Sequence, residues 1–137
     1  MRRFVFTLLM TMIISLSLFV SGFAQAPDNN NNHLRIKYLS SIITSLSIKN
    51  GTAYANVTVR DADNTSTKIE TTAYLQKKSG KSWNNVAIWQ KSTTSNRLTL
   101  KKSKKISRGT YRLKSVTKAY KGKANETITD YSPERKY

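Results

Sequence analysis

Two runs of alternating residues meet at Asn50-Gly51, and this junction constrains the fold more than any other stretch. Before it, Ile42, Thr44, Leu46 and Ile48 alternate with Ile43, Ser45, Ser47 and Lys49. After it, Ala53, Ala55, Val57 and Val59 alternate with Tyr54, Asn56, Thr58 and Arg60. A period of two is that of a strand with one buried face. Asn-Gly accepts the positive φ that a two-residue hairpin turn demands at both central positions. The stretch therefore reads as an antiparallel hairpin.

The same logic extends along the chain. Leu34 to Tyr38 reads as a short first strand, and Asp61 to Thr67 as a polar loop. Lys68 to Lys78 places Ile69, Thr71, Ala73 and Leu75 on one face and Tyr74 on the other. Ser79-Gly80-Lys81 turns the chain into Trp83 to Trp89. The two Trp are six apart, so an unbroken strand puts them on one face, whereas a bulge at Asn84-Asn85 would separate them. Ser92 to Asn96 is a loop, and Arg97 to Lys101 a short strand with Leu98 and Leu100 inward. Lys101 to Lys105 reads as a charged connection, from which Ile106 returns to the core. Gly109 to Ser132 forms a long last hairpin that turns at Lys121-Gly122-Lys123, with Tyr111 and Leu113 inward. Pro133 ends it, and Glu134 to Tyr137 is expected to fray. About seven strands without a useful helical period predict an all-β antiparallel sandwich.

The chain begins as an exported protein does. Arg2 and Arg3 precede an apolar run from Phe4 to Val20, and Ala24-Gln25-Ala26 matches a small-x-small cleavage site, as does Gly22-Phe23-Ala24. Residues 1–26 are thus read as a signal peptide, 27–33 as a flexible Asn-rich linker and 34–137 as the folded domain. Removing 26 of the 137 residues leaves 111, enough for one domain. The leader takes two of 24 basic residues and none of the seven acids, so the net charge of +17 becomes +15. No Cys is present. The domain must therefore fold without disulfides, a usage that suits Gram-positive secretion. No second apolar stretch could span a membrane, so the expected location is extracellular, loosely associated with the cell wall.

Leu75-Gln76-Lys77, Gly80 and Trp83, then Gly109-Thr110-Tyr111-Arg112 and Ser132, resemble a group of small secreted proteins of unknown function in Firmicutes, of clostridial type. The resemblance covers about Ser40 to Ser132. It implies an immunoglobulin-like sandwich behind a signal peptide and carries no activity with it. Gly109-Thr110-Tyr111 also resembles the tyrosine corner of immunoglobulin and fibronectin type III domains, here without the disulfide of antibody domains.

Charge is the strongest functional signal. Lys101, Lys102, Lys104, Lys105, Arg108, Arg112, Lys114, Lys118, Lys121 and Lys123 follow one another without an acid. Charge of one sign attracts polyanions, and the excess of Lys favours diffuse attraction in which no single residue is indispensable. The expected partner is an anionic envelope polymer: a teichoic acid, an acidic polysaccharide or an anionic lipid surface. Sheet edges guarded by Lys account for the same residues without any partner. Tyr54, Tyr74, Trp83, Trp89, Tyr111, Tyr120 and Tyr131 could stack on sugars or bases. Tyr74 and Tyr120 are the best placed for exposure, while each Trp is favoured for the core.

Other chemistries find little support. His33 stands alone in the linker, so metal binding and Ser–His catalysis lack ligands and base. Asp61-x-Asp63-x-Thr65 resembles a calcium loop, but its sixth position is Ser66 and its twelfth Thr72. Seven scattered acids form no recognisable glycosidase pair. The reading is a non-enzymatic, cofactor-free binding module. The alternatives are a protein-binding adhesion or immunity-type factor and, behind it, a small hydrolase.

Overall fold

The computed structural model describes residues 37–137. The leader, the linker with His33 and the first three residues of the expected strand at Leu34 to Tyr38 lie outside them. Lys37 and Tyr38 form a bend, and β1 begins at Leu39. The strands are β1 (Leu39–Lys49), β2 (Thr52–Asp61), β3 (Lys68–Ser79), β4 (Ser82–Thr93), β5 (Arg97–Lys105), β6 (Thr110–Lys121), β7 (Ala124–Tyr131) and β8 (Arg135–Lys136). One sheet has the order β1-β2-β5 and the other β4-β3-β6-β7, with β8 also on β6. All pairings are antiparallel. The protein is an immunoglobulin/fibronectin-III-like β-sandwich.

The predicted turn at Asn50-Gly51 is present, with φ of 49° and 70°. The inward positions of β2, β3 and β6 form the core: Val57, Val59, Ile69, Leu75, Tyr111 and Leu113 are all buried. Tyr111 stands at the start of β6, and its hydroxyl donates to the Ser107 carbonyl at 2.8 Å. This is the tyrosine-corner geometry, which ties the β5–β6 connection to the core.

Polar side chains also meet inside. Thr44 on β1 and Ser115 on β6 are 7% and 0% exposed and share a 2.6 Å hydrogen bond between the sheets. A buried hydroxyl left without a partner costs about 1–3 kcal/mol, while removing both groups can be nearly neutral. We expect Ser115→Ala to destabilise by that amount and Thr44→Val with Ser115→Ala to recover most of it. Chemical denaturation of the single and double variants measures the coupling, and simple additivity would refute it.

Three expectations need correction. β5 continues through Lys105, so Lys101 to Lys105 is strand and not connection; it pairs with Thr52 to Asn56. Its exposed lysines gave no alternating pattern to read. β4 runs beyond Trp89 to Thr93, because β3 offers partners as far back as Ile69. The tail is docked. β6 has 12 residues and β7 only 8, so Thr110 and Tyr111 need another partner. Lys136 and Arg135 supply it. Gly109 and Tyr137 then exchange two backbone hydrogen bonds at 3.0 and 2.9 Å, and Arg135 Nε donates to the Leu46 carbonyl.

Candidate functional site: a cationic pole and an aromatic–basic face

The ten consecutive basic positions do not form one patch. Lys101, Lys102, Lys104 and Lys105 lie on β5, at the edge of the three-stranded sheet, and Arg108 lies in the connection after it. Arg112, Lys114 and Lys118 lie on β6, in the middle of the other sheet. Lys121 and Lys123 bracket the turn at the opposite end of the sandwich, and Lys118 stands opposite Glu70 in register.

A different grouping emerges when the two ends are compared. At the end holding the β1–β2 turn, Lys49, Lys104 and Lys105 come together through the pairing of β1, β2 and β5. The β3–β4 hairpin brings Lys77, Lys78 and Lys81 to the same end, and the tail adds Arg135 and Lys136. Tyr137 confirms the junction: its hydroxyl lies 2.9 Å from where a Gly51 Cβ would stand. Among the described residues the acid at this end is Glu134, which pairs with Lys78 at 3.4 Å. A hollow of 540 Å³ nearby is lined by Lys101, Lys102 and Arg135 among others, and by no acid.

The far end carries most of the described acids. Asp61 ends β2, Asp63 is in the β2–β3 loop, and Glu70 and Glu126 are near the starts of β3 and β7. Asp61, Glu70 and Glu126 are engaged. Asp61 accepts hydrogen bonds from the Ser66 amide at 2.7 Å and from the Thr65 and Ser66 hydroxyls, so the sequence's calcium-like loop is a side-chain-capped turn. Glu126 accepts from the Lys37 and Tyr38 amides. Glu70 accepts from the Lys68 ammonium and, at 2.8 Å, from the Tyr120 hydroxyl. Lys68 and then Tyr120 hold the Glu70 carboxyl below its ordinary value, while Glu70 raises both partners.

The outer face of the four-stranded sheet joins bases to rings. β4 carries a bulge: Leu75 pairs with Ala87 and Gln76 with Asn85, leaving Val86 as the extra residue. The bulge reverses the parity of the strand. Trp89 packs against the core, while Trp83 falls in line with outward-facing Lys78. Arg112 lies between two rings, its guanidinium carbon 4.2 Å from the Trp83 centroid and 4.6 Å from that of Tyr131. Lys78 lies 5.5 Å from Trp83, and Lys114 lies 5.7 Å from Tyr74. Each such contact is worth about 0.5–1 kcal/mol at an exposed site. Tyr131 and Ile88 are exposed on this face, Tyr74 is half-buried, and Tyr120 is occupied with Glu70.

The sequence reading missed Lys49, Lys77, Lys78, Lys81, Arg135 and Lys136 because they are far apart in the chain. Only strand order and register bring them to one end. Its mention of a bulge at Asn84-Asn85 was the available signal for the outward Trp83. Among the described residues no group of three or more metal-ligating side chains occurs, and no helix is long and apolar enough to cross a membrane. No protein-family model matches the chain, and no curated protein does.

Proposed function

We propose that this is a secreted, non-enzymatic binding module that associates electrostatically with anionic polymers of the cell envelope. The observation that carries the reading is the uneven distribution of charge: the far end mixes its acids with Arg60, Lys68, Arg97, Lys121 and Lys123, while the near pole is predominantly basic. Bases from two hairpins, the end of β5 and the tail converge at one pole, while Asp61, Glu70 and Glu126 at the other are held by hydrogen bonds. Such an arrangement orients an approaching polyanion and speeds its encounter with the basic end.

Retention of the mature protein on purified Gram-positive cell walls should fall steeply between low and high salt, as screening lengths contract below about 10 Å. Changing Lys49, Lys104, Lys105 and Lys136 to Gln should abolish most retention at low salt. Changing Lys37, Lys68, Lys121 and Lys123 instead should remove much less. Retention that ignores salt, or equal losses from both sets, would overturn the reading.

One observation favours the protein-binding alternative. β1 is an edge strand with no charged residue from Leu39 to Ile48, whereas the β4, β5 and β7 edges carry charges within them. Apart from the Arg135 bond to the Leu46 carbonyl, an edge of this kind can accept a strand from another protein. Binding of that kind would survive neutralisation of the pole.

A further inference from the structure

We infer that Arg112 is a built oxyanion fork and that its ligand is the carboxylate of an acidic polysaccharide laid across the four-stranded face. The inference rests on the polyanion reading above and deepens it, replacing purely diffuse attraction with one oriented contact.

The geometry fixes the guanidinium from three sides. Trp83 and Tyr131 flank it at 4.2 and 4.6 Å. Its Nε donates to Gln76 Oε1 at 2.9 Å, and Gln76 Nε2 in turn donates to Asn85 Oδ1 at 2.8 Å. Gln76 is buried, so the middle of this relay is shielded from solvent, while Asn85 at its end is exposed. The β4 bulge matters here, because it aims Trp83 outward, onto Arg112. Among the described residues no other hydrogen bond and no carboxylate engages the guanidinium. Its two Nη groups therefore keep their N–H donors for an external acceptor, in the planar fork that pairs with a carboxylate through two parallel bonds. Ordering a flexible Arg in advance removes part of the entropic cost of binding.

The surroundings select the polymer. The face has ring surfaces at Trp83, Tyr131 and Tyr74, a second cation at Lys114, and hydroxyls at Thr72, Thr127 and Thr129 in the outward register. A chain of carboxylated sugar rings can use all of these at once: its charge on the fork, its apolar ring faces on the aromatics and its hydroxyls on the threonines. A polyol phosphate has charge but no ring. A single-stranded DNA has charge and rings but no free sugar hydroxyls along its chain for the threonines to meet.

The test compares polygalacturonate, poly(glycerol phosphate) and a single-stranded oligonucleotide at equal charge concentration and low salt. The variants are Arg112→Lys, which keeps the charge but loses the fork, Tyr131→Leu, and Lys118→Gln as a charge control on the same strand. Thermal unfolding confirms that each is folded. Polygalacturonate should bind most tightly, and Arg112→Lys should weaken it about ten-fold or more, the scale of a lost charge-assisted bidentate pair. Tyr131→Leu should weaken it several-fold and Lys118→Gln less than that. If Arg112→Lys binds like the wild type while salt sensitivity remains, the fork fails and the polyanion reading stands. Tighter binding of the phosphate polymer or the oligonucleotide overturns the choice of a carboxylated glycan. No binding of wild type to any of the three overturns both.

Discussion

Leu113→Ala should destabilise the domain by about 2–5 kcal/mol, the range for truncating a fully buried leucine. Leu113 is 0% exposed and stands opposite Leu75, also 0% exposed, across the β3–β6 ladder. β6 is central to its sheet, with β3 on one side and β7 and β8 on the other. The backbone at Leu113 is fixed as well. Its amide donates to the Ser132 hydroxyl at 2.9 Å, and its carbonyl accepts from the Ser132 amide at 2.9 Å. These contacts hold the two strands in place, so the cavity cannot collapse easily. A domain of this size has about 5–15 kcal/mol in total. The variant should therefore lose a large part of its stability, seen as a lower urea midpoint at unchanged m-value. A loss below about 1 kcal/mol would show that the sandwich closes around the deletion, contrary to the packing argued here.

Deleting Glu134 to Tyr137 should cost about 2–4 kcal/mol, from a few backbone and charged hydrogen bonds of about 1 kcal/mol each. The deletion removes the Gly109–Tyr137 pair, the β8 pairing with Thr110 and Tyr111, and the Arg135 bond to Leu46. It also uncovers the β6 end beside the tyrosine corner. Hydrogen exchange should then rise first at Gly109 to Tyr111, in the same window where the intact protein is protected. An unchanged midpoint and unchanged exchange would mean that the tail contributes nothing to the fold. Because Arg135 and Lys136 also lie at the cationic pole, Tyr137→Ala separates the two roles: it weakens the docking and leaves the charge.

These two cases differ in how far the sequence anticipates them. Leu113 is legible at once, since it alternates with Arg112 and Lys114 and follows a Gly-Thr-Tyr entry. The docked tail is not. Ser132-Pro133 marks a strand end, and nothing local says that the chain returns two residues later to fill a vacancy left by unequal strand lengths. The same contrast separates Lys101 to Lys105 from Lys68 to Lys78. In the second stretch the apolar positions alternate; in the first every side chain is exposed, and only the neighbouring β2 backbone makes it a strand.

The candidate site divides along that line. The sequence by itself settled local things: the period of the strands, the Asn50-Gly51 turn, the tyrosine corner, the inward set of β2, β3 and β6, and a large positive charge. Each depends on residues within a few positions of one another, where steric limits on φ and the alternation of side chains act directly. Only the tertiary structure decided which bases share a pole, that Trp83 faces outward, and that Arg112 is held between two rings. Those outcomes depend on strand order, on one bulged residue and on unequal strand lengths, all fixed by pairing between segments far apart in the chain.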